Sequence, residues 1–372
     1  MTAASSRNQW LDILRGIAIL LVLGSHYEYF RIWVRVGWAG VDLFFVLSGF
    51  LISGLLFSEY KKTGVIDLKR FWLRRGMKIY PPFYFFMAAT VAAMLFQHRA
   101  ITGTILSDLF FLQNYFSCVW DHGWSLAVEE HFYLVLPLLL VVLTGLCKRK
   151  ADPFRAIPLL SIGLTVLCLA LRMRAFVHEE PWKAIAQPTH LRIDSLFAGV
   201  TLGYYKHFRG EELRRSSKTA LALAGAVFLA PVALLSLSNS FMASTFTLAF
   251  LGFGCILLSV ADRPYSRNTF ARILAWIGYY SYSIYLWHAM LVGLVFRFLQ
   301  PTLALFVIYL VCCIALGVFM TKLIETRSLA LRDGWIPSRT VQAGVKPFPV
   351  QLGTGNELAG MLTGRTSQAE AR

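Results

Sequence analysis

The chain has 372 residues, 57% of them hydrophobic and only 15% charged, against about 25% charged in an ordinary soluble domain. Apolar runs of about 20 residues recur along it, so a polytopic helical membrane protein is expected; the lack of short alternating strands argues against an outer-membrane barrel. The net charge of +16 invites a nucleic-acid partner, but the bases cluster between the apolar runs, which is the pattern of membrane topology and of contact with anionic lipid; no nucleic acid is expected.

In chain order the pattern predicts ten spans, 12–30, 38–58, 78–97, 124–147, 157–176, 190–207, 217–237, 243–261, 273–297 and 302–324. The run 101–116 (ITGTILSDLFFLQNYF) is short and contains Asp108, Gln113 and Asn114. If it crossed, Lys148, Arg149, Lys150 and every later basic loop would change sides, against the rule that cytoplasmic loops carry the Lys and Arg. It is therefore expected to be a re-entrant or surface helix on the outer side. The fold class is all-α: a membrane helical bundle of about ten transmembrane helices in the plasma (bacterial inner) membrane, multi-pass, with both termini cytoplasmic. Residues 1–336 form the membrane domain. Residues 337–372 lack apolar periodicity and read as a flexible cytoplasmic tail. The six cysteines have neither a disulfide framework nor zinc-type spacing, and no metal is expected. No pattern in the chain sets an oligomeric state, and no internal repeat of the transporter kind is seen.

Polar residues inside the spans carry the chemistry. Arg15 and His26 share the first span, and a charge there costs about 2.5–3.5 kcal/mol on insertion scales. Eleven residues are about three turns, so the two share one face roughly 16 Å apart, with Asp12 on nearly the same stripe. Arg15 alone is also explained by snorkelling to the interface. Depths counted from the expected topology put His26, Asp42, Glu129, Glu130, Arg192, Asp194 and His288 in the outer half, on five helices. Glu129, Glu130 and His131 are about 100° apart in turn and cannot share a face. On the cytoplasmic side Arg15, Arg74, Arg75 and Lys78 form a cluster suited to a polyanion; positive-inside charge explains it as well.

At these residues the sequence resembles the acyltransferase-3 family of integral-membrane acyltransferases, over most of residues 10–325. Arg15 and His26 match its Arg-X10-His signature. GVDLFFVLSGFLIS (40–53), RFWLRRGMKIYPPF (70–83), GWSLAVEEHFYLVLP (123–137), HLRIDSLFAG (190–199) and GYYSYSIYLWH (278–288) are similar to five further motifs in the same order. Lys78 stands where Arg is usual. The resemblance implies transfer of an acyl group, commonly acetyl, from cytoplasmic acyl-CoA (acetyl-CoA) to a hydroxyl of a cell-surface or exported glycan. The acceptor would be a glycan or lipid-linked saccharide, in contact with membrane lipids, and no extra globular domain is expected after residue 325.

On this reading His26 is the general base, oriented by Glu129 or Glu130 as a carboxylate orients the base of hydrolytic triads. Arg15, Arg74, Arg75 and Lys78 serve the CoA phosphates. Asp12, Asp42, Ser48, Trp124, Ser125, Arg192, Asp194, Tyr282 and His288 form a substrate or structural polar site. An acyl-His intermediate is a second route for the same residues. Rival classes are a proton-coupled membrane transporter, an acyltransferase for a small metabolite such as a macrolide, and a haem protein ligated by His26 and His288.

Overall fold

The computed structural model describes residues 8–27, 29–98, 102–147, 152–235, 242–294, 296–300 and 302–337. The tail after residue 337 and the basic linker Lys148–Lys150 lie outside the described residues. The fold is an all-α membrane bundle, with no strand among the described residues. Its helices are α1 (Gln9–Ser25), α2 (Arg31–Val36), α3 (Ala39–Thr63), α4 (Leu68–Phe96), α5 (Thr104–Leu109), α6 (Trp124–Leu146), α7 (Ile157–Val177) and α8 (Trp182–Ala186). Then follow α9 (Thr189–Phe208), α10 (Gly210–Arg215), α11 (Lys218–Leu235), α12 (Met242–Val260), α13 (Thr269–Tyr279), α14 (Ser281–Leu294), α15 (Leu303–Met320) and α16 (Thr326–Trp335). Six helical stretches are individually long and apolar enough to cross a membrane: α3, α4, α6 with the turn before it, α7, α12, and α15 through α16.

Several helix ends differ from the hydropathy pattern, each for a local reason. The third span was expected from 78, but α4 starts at Leu68, because the Asp67 side chain caps it by accepting from the Arg70 N–H at 3.0 Å. The basic motif is therefore the first turns of a helix. The first span was expected to reach 30, but α1 ends at Ser25 and His26 is its C-cap. Here Gly24 lets α2 fold back: a Cβ on Gly24 would meet Trp33 Nε1 at 2.1 Å. His26 thus sits at a helix end instead of a turn inside it. The ninth span is two helices, α13 and α14, that break at Tyr280, and the tenth continues through a π-helical segment, Thr321–Glu325, into α16.

The polar run 101–116 contains only α5, six residues long and so about 9 Å, too short to cross. Its polar side chains turn inward. Asp108 Oδ2 accepts from the Val119 N–H at 2.7 Å, and Gln113 and Asn114 donate to Gly123 O and Thr189 Oγ1, each at 2.8 Å. They pin this segment across the starts of α6 and α9.

Helices α3 and α9 pack backbone to backbone. A Cβ on Gly49 would meet Leu196 O at 1.9 Å, and one on Gly199 would meet Val46 O at 2.2 Å. Small residues allow such approach in membranes, where no hydrophobic drive holds helices together. The contact sets Asp42 of α3 against Arg192 and Ser195 of α9.

Candidate active site

One cavity, of about 200 Å³, is lined by His26, His122, Trp124, Trp182, Arg192 and Tyr285 among others. His26 is exposed and its Nδ1 donates to Val22 O at 2.8 Å, which leaves the lone pair on Nε2. Behind it His288 is fully buried, and its Nδ1 donates to Tyr285 O at 2.6 Å. A third imidazole, His122, is held through Nε2 to Leu286 O at 3.3 Å. The His288 ring centroid is 4.8 Å from that of His26 and 5.1 Å from that of His122. Each ring has one nitrogen fixed by a backbone carbonyl, which sets its tautomer. The edge-on packing of His26 on His288 leaves no gap between them for a porphyrin, so the haem alternative is corrected on geometry.

A second cavity, of about 160 Å³, is lined by Arg15, Arg75 and Lys78 on one hand and Glu129, Glu130 and Glu325 on the other, with Ser48 and Tyr282. Glu129 accepts from Ser48 Oγ at 2.9 Å and from Tyr133 OH at 2.5 Å. Arg75 donates to the same Tyr133 hydroxyl at 2.5 Å and lies over its ring at 4.2 Å. Glu130 accepts from Tyr80 OH at 3.2 Å, and Arg15 pairs with Asp12 at 3.0 Å. Tyr282 donates to Ile79 O at 3.0 Å, and Ser283 donates to Glu325 at 3.3 Å.

These two cavities share a wall. Val41 and Tyr285 line both. The Tyr285 hydroxyl donates to His122 O at 2.6 Å and accepts from Ser125 Oγ at 2.5 Å. A third cavity, about 340 Å³, shares Arg75 and Lys78 with the second and adds Lys62, Arg70, Arg74 and Arg332, with Glu59 as its one lining carboxylate among the described residues. Arg74 is there bonded to Asp333 at 3.0 Å and to Ile336 O, which ties α4 to α16.

The structure brings Arg15, Arg75 and Lys78 together in one cavity and Arg74, Arg75 and Lys78 together in the adjoining one. It separates the expected base from its expected orienter. Glu129 and Glu130 do not line the His26 cavity. Along α6 they lie about 8 Å beyond Trp124, which carries them past the Tyr285 partition. The groups that hold the His26 ring are Val22 O and His288, where the sequence reading expected Glu129 or Glu130.

Asp42 pairs with Arg192 at 2.7 Å and accepts from Ser195 at 3.0 Å; Arg192 lies 3.9 Å over the Phe246 ring and 5.3 Å from the Trp124 centroid. Asp194 is held by Arg172 in a two-pronged pair at 2.8 and 3.2 Å, fully buried. Arg172, His122, Tyr285, Tyr133 and Glu325 were not singled out from sequence. His122 stands two residues before the Trp-Ser-Leu motif, in a 3-10 turn where helical spacing says nothing. Arg172 had a readable signal: an arginine inside an apolar run. Among the described residues no group of three or more His, Cys, Asp and Glu is arranged to hold a metal ion.

A many-helix membrane bundle with polar cavities meeting near its middle defines the class. The chain belongs to the acyltransferase-3 family: the family's acyltransferase domain matches residues 8–322. The peptidoglycan O-acetyltransferase OatA of Listeria monocytogenes is 28% identical, over 78% of this chain and 50% of its own length. A putative peptidoglycan O-acetyltransferase of Bacillus subtilis, YrhL, is 31% identical over 75% and 47%. A putative O-acetyltransferase of Staphylococcus aureus is 28% identical over 77% and 50%. The chain thus spans about half the length of these curated relatives. No solved structure matches it.

Proposed function

We propose that the protein is a membrane O-acyltransferase that moves an acyl group, acetyl first among candidates, from acyl-CoA to a glycan hydroxyl. The observation that carries this reading is the shared Tyr285 wall. On one side lie seven basic side chains, Arg15, Lys62, Arg70, Arg74, Arg75, Lys78 and Arg332, around two adjoining cavities that Glu59, Glu129, Glu130 and Glu325 also line. On the other is His26 with Nε2 unprotonated. Arginines recognise phosphate through two parallel hydrogen bonds, so the basic side suits the CoA phosphates. The same charges mark that side as cytoplasmic. The glycan acceptor rests on the similarity to peptidoglycan O-acetyltransferases.

The chemistry follows from the wall. His26 Nε2 takes the proton of the acceptor hydroxyl as its oxygen attacks the thioester carbonyl. The hydroxyls at the partition already donate, Tyr285 to His122 O and Ser125 to Tyr285, so one of them has to turn to meet the oxyanion that develops there. Collapse of the tetrahedral intermediate breaks the C–S bond, and the proton on His26 passes to the departing CoA thiolate. Glu129 and Glu130 act indirectly, by holding Ser48, Tyr133, Tyr80 and through Tyr133 the guanidinium of Arg75.

The test uses full-length protein in lipid nanodiscs, isotope-labelled acetyl-CoA and soluble glycan fragments. Free CoA thiol and labelled ester should appear in equal amounts. Label transport without CoA release, or no consumption of acetyl-CoA with any glycan, would refute the reading.

A further inference from the structure

We infer that the His26 cavity is a saccharide subsite that receives one uncharged pyranose ring, with Trp182 as its stacking platform. The inference deepens the acyl-transfer reading and rests on it only for the final chemical step. Its first support is the aromatic wall. Trp182 begins the short helix α8, is 41% exposed, and lines the cavity with Trp38 and Trp124. Phe246 backs the Trp182 indole, stacked at 5.4 Å, and Trp38 meets it edge-on at 6.4 Å. One face of the indole is thereby fixed and the platform is rigid. Indoles pair an apolar face with little entropy to lose, and the C–H faces of a sugar ring suit such a surface.

The second support is a set of unsatisfied polar atoms. Arg192 is 1% exposed and its Nε–H has no partner. His122 is 7% exposed and its Nδ1 has no partner. Both residues line this cavity. Buried polar atoms left unpaired are costly, so their natural complement is a ligand that both donates and accepts. A hydroxyl does both. Two residues of the cavity wall thus hold an unpaired N–H donor and an unpaired imidazole nitrogen just beneath the surface, beside the lone pair of His26 and between aromatic walls.

Charge and size narrow the class. Arg192 is offset by Asp42 at 2.7 Å, and Lys183 by Asp121 at 2.8 Å, with Gln187 also bonded to Asp121 at 3.2 Å. The described cations are therefore already paired, which favours a neutral sugar over a uronic acid. The cavity, of about 200 Å³, is on the scale of one sugar ring. A polymer would present a single residue at a time.

The experiment measures calorimetric binding of a neutral N-acetylglucosamine trimer and of an anionic galacturonic acid trimer to full-length protein in nanodiscs. It compares wild type with Trp182→Ala and Trp182→Phe, each checked for folding by its melting temperature. The neutral trimer should bind, Trp182→Ala should weaken it about tenfold, and Trp182→Phe should lose less, since a ring is kept. In acetyl transfer to the trimer, the loss in Trp182→Ala should fall on KM more than on kcat. Equal affinity in folded Trp182→Ala, preference for the anionic trimer, or no binding of either would overturn the subsite. Binding that depends on Trp182 without any acetyl transfer would leave the subsite standing and sink the acyltransferase reading instead.

Discussion

His26 and His288 meet edge-on, with ring planes at 75° and centroids 4.8 Å apart. His288 is itself anchored to Tyr285 O, so the plane of the exposed imidazole is set by a buried one. Val22 O then fixes which nitrogen of His26 is bare. A helix end and a neighbouring ring hold this imidazole, and under the proposed mechanism they stand where a carboxylate stands in a hydrolytic triad.

Replacing His26 with Ala should lower acyl transfer by about 10²–10⁴, the usual worth of a general base. Binding of acyl-CoA should persist, because the basic cavities do not include this residue. Turnover and CoA affinity measured on one preparation decide the matter. Equal loss of CoA affinity would show that His26 holds the donor.

Arg75→Gln with Lys78→Gln should weaken CoA binding and flatten its dependence on ionic strength, since both line the two connected basic cavities. Arg74→Ala should behave differently. It also cuts the α4 bonds to Asp333 and Ile336 O, leaving Asp333 to Arg332 alone, so it should loosen α16 and lower the melting temperature. An unchanged salt dependence in the Arg75/Lys78 variant would place the phosphates elsewhere.

The buried Arg172–Asp194 pair ties α7 to α9, and Arg172 Nε reaches Ala243 O of α12 at 3.2 Å. Removing one partner of such a pair costs about 3–5 kcal/mol, because the other charge stays buried alone. Arg172→Met should therefore unfold at lower temperature than the double replacement Arg172→Met with Asp194→Leu. The reverse order of melting temperatures would show that the pair is not coupled.

Sidedness can be read by cysteine labelling. Gln97 is the exposed C-cap of α4, and Arg209 is the exposed C-cap of α9. If the basic end is cytoplasmic, Gln97→Cys should react with an impermeant thiol reagent in intact cells and Arg209→Cys should not. Labelling of Arg209→Cys alone would invert the whole arrangement, and with it the direction of transfer.

The sequence by itself determined the class of fold and most of the polar cast. A charge in an apolar run is costly, so Arg15, Asp42, Arg192 and Asp194 stood out, and loop charge alone kept 101–116 from being counted as a crossing. Local capping chemistry at Asp67 was equally legible, although hydropathy overrode it and placed the start of α4 too late. Only the tertiary structure decided who meets whom. Depth counted along a helix says how far a residue lies from the surface, not which way it faces or where a partition falls. So Glu129 and Glu130, close to His26 in depth, line a different cavity, and of the neighbours Arg74 and Arg75 only Arg75 reaches the cavity of Glu129 and Glu130 as well. His122 joins the imidazole cluster through a turn that no periodicity describes. Contacts between residues 262 positions apart, such as His26 with His288 and Arg74 with Ile336, arise from helix packing, which is a property of the whole bundle.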